Sequence, residues 1–247
     1  MTDPDIITPG AVQFFEGDCR EFLPVAADVV ITDPPYAVDR HGRMLGQIAS
    51  NYHGKGAHTR GYYDHNSQKF AEILTPAFDG MLNSLPKGGT MVAFCGNRTF
   101  AEMVNIATHA GFQMLDILVF TGGGSFAKSK TMLMPRHELA MFMRRPGGTR
   151  EINPERNIAN LFDIKKTKGE SPHPTTKPQT WMRRVVEVFS EPGETILDPF
   201  AGSGSTLVAA RDLGRPSIGM EAIPEYADIV RDRLHLPARE AAAPEAA

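Results

Sequence analysis

The chain reads as an α/β protein in which a mostly parallel sheet carries helices on both faces. Three observations predict it. Short apolar runs alternate with amphipathic helical stretches along the whole chain. Two of those runs end abruptly in an acid followed by proline, at Asp33-Pro34 and Asp198-Pro199. The second of them leads into a glycine turn that opens a helix. With 247 residues, 41% of them apolar and 22% charged, the chain suffices for one good-sized domain.

The elements can be justified in order. Strands are expected at 12–15, 28–32, 89–94, 114–120, 139–144, 195–197 and 217–220. The run that ends at Thr32 is apolar and strand-like, as suits a core strand. Between 32 and 89, Phe70, Ile73, Leu74, Phe78, Met81, Leu82 and Leu85 recur at helical spacing, with a kink expected at Pro76. Phe100, Met103 and Val104 form the next stripe, and Trp181, Val185, Val188 and Phe189 another. Leu207, Ala210 and Leu213 mark a helix stopped by Gly214 and Pro216; Tyr226, Ile229, Val230 and Leu234 mark the last. These stripes predict core packing and nothing more.

Three stretches break the pattern. Residues 37–69 are polar and rich in Gly, His and Tyr, and a loop that long inside a compact domain is expected to be functional or disordered. Residues 146–172 are basic with little periodicity, and 237–247 read as a solvated tail. The expected organisation is therefore a single domain over 1–236.

Composition excludes several classes. No stretch approaches the ~20 apolar residues of a membrane span, and no signal-like segment opens the chain, so a cytoplasmic protein is expected. Two cysteines, Cys19 and Cys95, beside apolar runs argue against a disulfide framework or a cysteine metal site. His41, His53, His58 and His65 cluster in the insert, but their spacing fits no metal motif, and no metal is expected. Net charge is −3, yet thirteen Lys or Arg face five acids between 128 and 184, so that segment carries +8 and the remainder −11. A phosphate-facing surface on an acidic body is one reading and a solvated charged face the other. Arg144, Arg145, Lys165, Lys166 and Lys168 are the expected phosphate contacts.

Chemistry enters at Asp33-Pro34-Pro35-Tyr36. Neither proline has an N–H, so the ladder ends there and the backbone stays extended just past the sheet edge where ligands of open α/β sheets bind. The Pro34 carbonyl and the Asp33 carboxylate offer two acceptors, and Tyr36 offers a flat face. Together they suit a planar group bearing an NH₂, such as the amine of a nucleobase taken out of its stack.

The second signal is "ILDPFAGSGSTLVAA", from Ile196 to Ala210. Asp198, Phe200, Ala201, Gly202, Ser203, Gly204 and Ser205 form a turn whose glycines admit a ligand to the backbone. Glu221, ending the next strand, suits ribose hydroxyls. No Lys follows the glycines, which excludes a Walker loop. Leu207 stands where a dinucleotide fingerprint wants a third glycine. A nucleoside ligand without phosphates, such as S-adenosyl-L-methionine (SAM), fits best.

The two motifs together resemble those of SAM-dependent DNA amino-methyltransferases, in the permuted order called the beta class. "EGDCREFLP" is similar to the segment that holds the cofactor's adenine, which implies roles for Asp18 and the backbone of Cys19. "HPTTKP" resembles the motif flanking the methionine end, which implies His173, Thr176 and Lys177. "RHELAMFMRR" resembles the family's late core strand. The matches span residues 16–221. The resemblance implies a Rossmann-like methyltransferase fold, with a mostly parallel seven-stranded sheet containing one antiparallel strand. It implies direct methyl transfer from SAM to a flipped base in double-stranded DNA, with 146–172 as a short recognition-like segment and 37–69 as a lid. Pairing into a homodimer is left open. An Asp at the first motif position resembles the adenine-N6 enzymes; cytosine N4 is the alternative. An RNA or protein-glutamine methyltransferase stands further off, since those carry the motifs in the opposite order.

Overall fold

A computed structural model of the chain describes residues 10–35, 67–122, 136–152, 157–165 and 177–237. Its single sheet is built from β1 (Val12–Glu16), β2 (Val29–Thr32), β3 (Thr90–Cys95), β4 (Gln113–Thr121), β5 (His137–Arg144), β6 (Leu161–Asp163), β7 (Ile196–Asp198) and β8 (Ser217–Glu221). The order across the sheet is β1-β8-β7-β2-β3-β5-β4-β6. Every neighbouring pair is parallel except the two that β5 makes, with β3 and β4. Among the described residues one strand is antiparallel, as expected, and the strands number eight rather than seven.

The additional strand is β6, inside the segment read as aperiodic. Three residues are too few to show a period, and Phe162 alone of the three is buried. Its ring stacks on Phe120 at 4.8 Å, and Phe120 in turn packs on Trp181 at 5.3 Å. Such ring pairs contribute about 0.5–1.5 kcal/mol each beyond the area they bury. The Trp181 indole N–H also donates to the Ile164 carbonyl at 2.9 Å, fixing the chain as it leaves β6.

Helices α1 (Cys19–Phe22), α2 (Ser67–Ser84) and α3 (Phe100–His109) cover one face; α4 (Gln179–Phe189), α5 (Ser205–Asp212) and α6 (Pro224–Leu234) cover the other. Alternate residues of the central strands feed the two cores. Val30, Met91, Ala93 and Met141 pack toward α2 and α3, while Val29, Ile31, Phe94 and Phe142 pack toward α4. Both faces being buried explains the unbroken apolar runs. Helix α2 begins at Ser67, three residues inside the expected insert, and continues through Pro76 to Ser84. Among the described residues no helix is long and apolar enough to cross a membrane.

The site is positioned by strand polarity. The carboxyl ends of the parallel strands share one edge, and the reversed β5 brings its first residues to that edge. Its last residue, Arg144, pairs with Thr90 at the start of β3, on the opposite edge.

Candidate active site

Four acids stand at the carboxyl ends of adjacent strands: Glu16 on β1, Glu221 on β8, Asp198 on β7 and Asp33 just after β2. Glu16 is in register with Glu221, and Asp198 with Gly219. From β2 to β8 is two strand spacings, about 10 Å.

Asp198 is 2% exposed. Its Oδ1 accepts from the Thr32 hydroxyl at 2.7 Å and from the Phe200 N–H at 3.2 Å, and the Thr206 hydroxyl also bonds to this carboxylate. Burial pushes its pKa up to about 6 against these bonds. The carboxylate ties the residue before Asp33 to the glycine turn, so the two sequence motifs meet through one side chain.

In the turn, Gly202 and Gly204 adopt φ of 55° and 79°, the left-handed region that favours glycine. A Cβ on Gly204 would also press on Val230 at 3.2 Å, whereas one on Gly202 would meet only the Phe200 carbonyl at 4.0 Å. The turn is therefore closed behind Gly204 and open at Gly202. The Gly202 N–H donates to Glu221 Oε2 at 2.7 Å, and the Ile223 N–H donates to Oε1 at 2.8 Å. Glu221 is 5% exposed, and burial pushes it up to about 7 despite those two donors. From behind, Arg233 on α6 donates to the Ser203 carbonyl at 2.5 Å and to Gln179 Oε1 at 3.0 Å.

Asp18 lies beside this group, because the Gly17 N–H donates to the Glu221 carbonyl at 2.8 Å. Its carboxylate caps α1 through the Arg20 N–H at 3.0 Å. The Arg20 guanidinium, 2.5 Å away, holds it below the usual carboxylate range. The Cys19 thiol is buried and pushed up to about 12, which leaves the backbone as its polar offering.

At Asp33 the chain turns off the sheet with Pro34 buried. Lys177, 8% exposed, sets its ammonium 2.8 Å from Asp33 Oδ2 and 3.1 Å from Glu138 Oε2, over the Phe94 ring at 5.1 Å. Asn97 and His137 border the same edge, their side-chain nitrogens 3.4 Å apart. Cys95 is a buried thiol pushed up to about 12 by desolvation, and it packs in the core.

The structure thus gathers Asp18, Cys19, Asp33, Pro34, Pro35, Lys177, Asp198, Phe200, Ala201, Gly202, Ser203, Gly204, Ser205 and Glu221 at one edge. Tyr36, His173 and Thr176 lie outside the described residues, as do Lys166, Lys168 and the four insert histidines. Among the described residues no group of three His, Cys, Asp or Glu could hold a metal ion.

Two phosphate expectations are corrected. Arg144 ends the reversed strand on the far edge and Arg145 follows it; Arg144 bonds Gln113 at 2.8 Å and Arg145 bonds the Leu82 and Leu85 carbonyls at the end of α2 and just after it. Strand direction, invisible in the residues, decides this. Lys165 follows β6 at the same edge as the site. Sequence reasoning gave no role to Thr32, Glu138, Gln179 or Arg233. A polar residue closing an apolar run was the available signal for Thr32, and an acid opening one for Glu138; nothing marked the other two.

A family model described as DNA methylase matches residues 27–232. The chain belongs to this family. The amino-methyltransferases of this N6/N4 class take their methyl group from SAM. YubD of Escherichia coli (strain K12), which carries a methylase name, is 32% identical over 229 residues, spanning 90% of this chain and 89% of that protein. The type II methyltransferase M.HinfI of Haemophilus influenzae is 24% identical over 243 residues, spanning 89% and 67%. A solved M1.HpyAVI–SAM complex aligns at TM-score 0.68 with 22% identity, covering 91% of this chain and all of its own. PvuII DNA methyltransferase, titled cytosine-N4-specific, aligns at 0.68 with 15% identity over 92% and 88%. These likenesses show the Rossmann-like methyltransferase fold that the motifs implied.

Proposed function

We propose that this DNA methylase transfers a methyl group from SAM to the exocyclic amine of a base flipped out of double-stranded DNA, at adenine N6. One observation carries the reading: the Asp33-Pro34-Pro35 kink stands one strand from the Asp198 turn and two from Glu221, on one edge of one sheet.

The residues fit the cofactor. The edge is lined by carboxylates, which suits a cationic sulfonium better than a phosphate. The outer side of Gly202 is open to a close approach. Glu221, when ionised, would accept the ribose hydroxyls, Asp18 and the Cys19 backbone would hold the adenine, and Lys177 with His173 and Thr176 would flank the methionine end. Bound there, SAM supplies an electrophilic methyl group.

The protein's own work is done on the amine. An exocyclic amine is a poor nucleophile because its lone pair is delocalised into the ring. Accepting its two N–H bonds at Asp33 and at the Pro34 carbonyl localises that pair. The acceptors act most strongly as positive charge develops on nitrogen, so they favour the transition state over the ground state. Pro35 keeps the backbone extended, and Tyr36 is assigned the stacking role, worth about 1–3 kcal/mol per base. Lys165, Lys166 and Lys168 are assigned to phosphates, and the 37–69 insert to closing over DNA.

Asp33 at the first motif position favours adenine N6; cytosine N4 is the second reading, since the same two acceptors suit that amine. Incubating the chain with SAM and DNA and digesting to nucleosides tests both. Mass spectrometry should find N6-methyladenine. N4-methylcytosine would replace the target base, and the absence of both products would overturn the reading.

A further inference from the structure

The ammonium of Lys177 is the least expected feature of the edge. It is almost fully buried, a state that costs several kcal/mol unless the charge is compensated. Compensation comes from two carboxylates on different strands, Asp33 after β2 and Glu138 at the start of β5, both part-exposed at 27% and 33%. β3 lies between those strands, so their backbones are about 10 Å apart along the sheet, and the two side chains converge on one ammonium from 2.8 and 3.1 Å. The ammonium spans the gap above Phe94, the residue of β3 beneath it. Asp33, Glu138 and Lys177 together carry −1. Asp33 alone with Lys177 would carry zero.

That difference bears on the amine. A carboxylate that serves as acceptor in methyl transfer must keep lone-pair strength for the substrate. An ammonium at 2.8 Å withdraws it. Sharing the same ammonium with a second carboxylate, at 3.1 Å, reduces what Asp33 gives up. We infer that Glu138 is a positioning residue for methyl transfer: it holds Lys177 between two carboxylates, so that Asp33 is oriented by the ammonium without being neutralised by it. Glu138 reaches the site because β5 runs backwards, bringing its first residues to the edge where the other strands end. The inference rests on the proposed amine chemistry and adds to it a residue outside the two motifs.

Glu138→Gln keeps the shape and removes the charge, leaving the ammonium to close on Asp33. It should lower kcat by roughly 10- to 100-fold, as loss of a supporting partner typically does. SAM affinity by calorimetry should change by less than about threefold. Glu138→Asp, which retains the carboxylate, should recover part of the loss. In a Lys177→Met background the same Glu138→Gln change should cost little further, because no ammonium remains to be shared. Unchanged kcat in Glu138→Gln, equal losses in both backgrounds, or a loss confined to SAM affinity would each overturn the inference. A wild-type chain that methylates no base would instead sink the proposed function. If Glu138→Gln fails to fold, Glu138→Ala, read as kcat per folded molecule, decides: an unaltered kcat there with lowered thermal stability would mean a structural role only.

Discussion

The two edges of the sheet use charged residues in opposite ways. At the amino edge, guanidiniums finish the structure. Arg145 takes the carbonyls that end α2. Arg150 takes the Asp28 carbonyl at 3.0 Å, the Phe189 carbonyl at 3.2 Å and the Glu194 carboxylate. Arg215 takes the Ser190 carbonyl at 3.1 Å. Each cation there satisfies acceptors that a helix or strand end would otherwise leave open. At the carboxyl edge, acids are buried against their preference, with Asp198 pushed up to about 6 and Glu221 to about 7. Charge that is neutralised at the amino edge serves the fold, whereas the carboxylates held at a cost at the carboxyl edge suit the place where the proposed function receives its ligand.

Substitutions at the two edges should therefore separate activity from stability. The largest effect is expected from Asp33→Ala, which removes one of the two amine acceptors. Methyl incorporation should fall by at least roughly 100-fold while SAM affinity moves by less than about threefold; retained turnover would remove Asp33 from the chemistry. Arg150→Ala should do the reverse. It removes one donor from each of two carbonyls and from the Glu194 carboxylate, and should cost about 2 kcal/mol of stability, read as a lowered Tm, with kcat per folded molecule unchanged.

Glu221→Gln tests both sides at once. A carboxylate whose folded pKa is raised is favoured in its protonated form by the fold, so its contribution to stability is present below about 4.5 and is lost as pH rises through about 7. Above that pH, Gln removes the buried charge but sets its NH₂ against one of the two backbone N–H donors, so the free protein should change by no more than on the order of 1 kcal/mol. Ribose hydroxyls need the ionised form, so wild-type SAM affinity should rise as pH climbs from 6 to 8 and stay flat in the variant. A pH-independent wild-type affinity would remove Glu221 from the ribose. The smallest effect belongs to Arg144→Ala. From the far edge it should change DNA affinity by less than about twofold and leave the salt dependence as it was. A shallower salt slope would mean that DNA reaches around the sheet.

What could be read from the residues alone was whatever depends on neighbours in the chain. Runs such as Val29-Val30-Ile31 must be core strands. An acid followed by two prolines must end one, and Gly202 and Gly204 must turn where side chains would be strained. Those local constraints carried the sheet, its helices and both motifs. What tertiary structure alone decided depends on pairs remote in sequence. β6 exists because Phe162 finds Phe120 and Trp181, and Arg145 leaves the phosphate-binding set because β5 runs backwards. Thr32 meets Asp198, and Lys177 is shared between Asp33 and Glu138, because strand order brings them to one edge. A side chain's type is written in the sequence, but the partner that sets its charge and reach is supplied by packing.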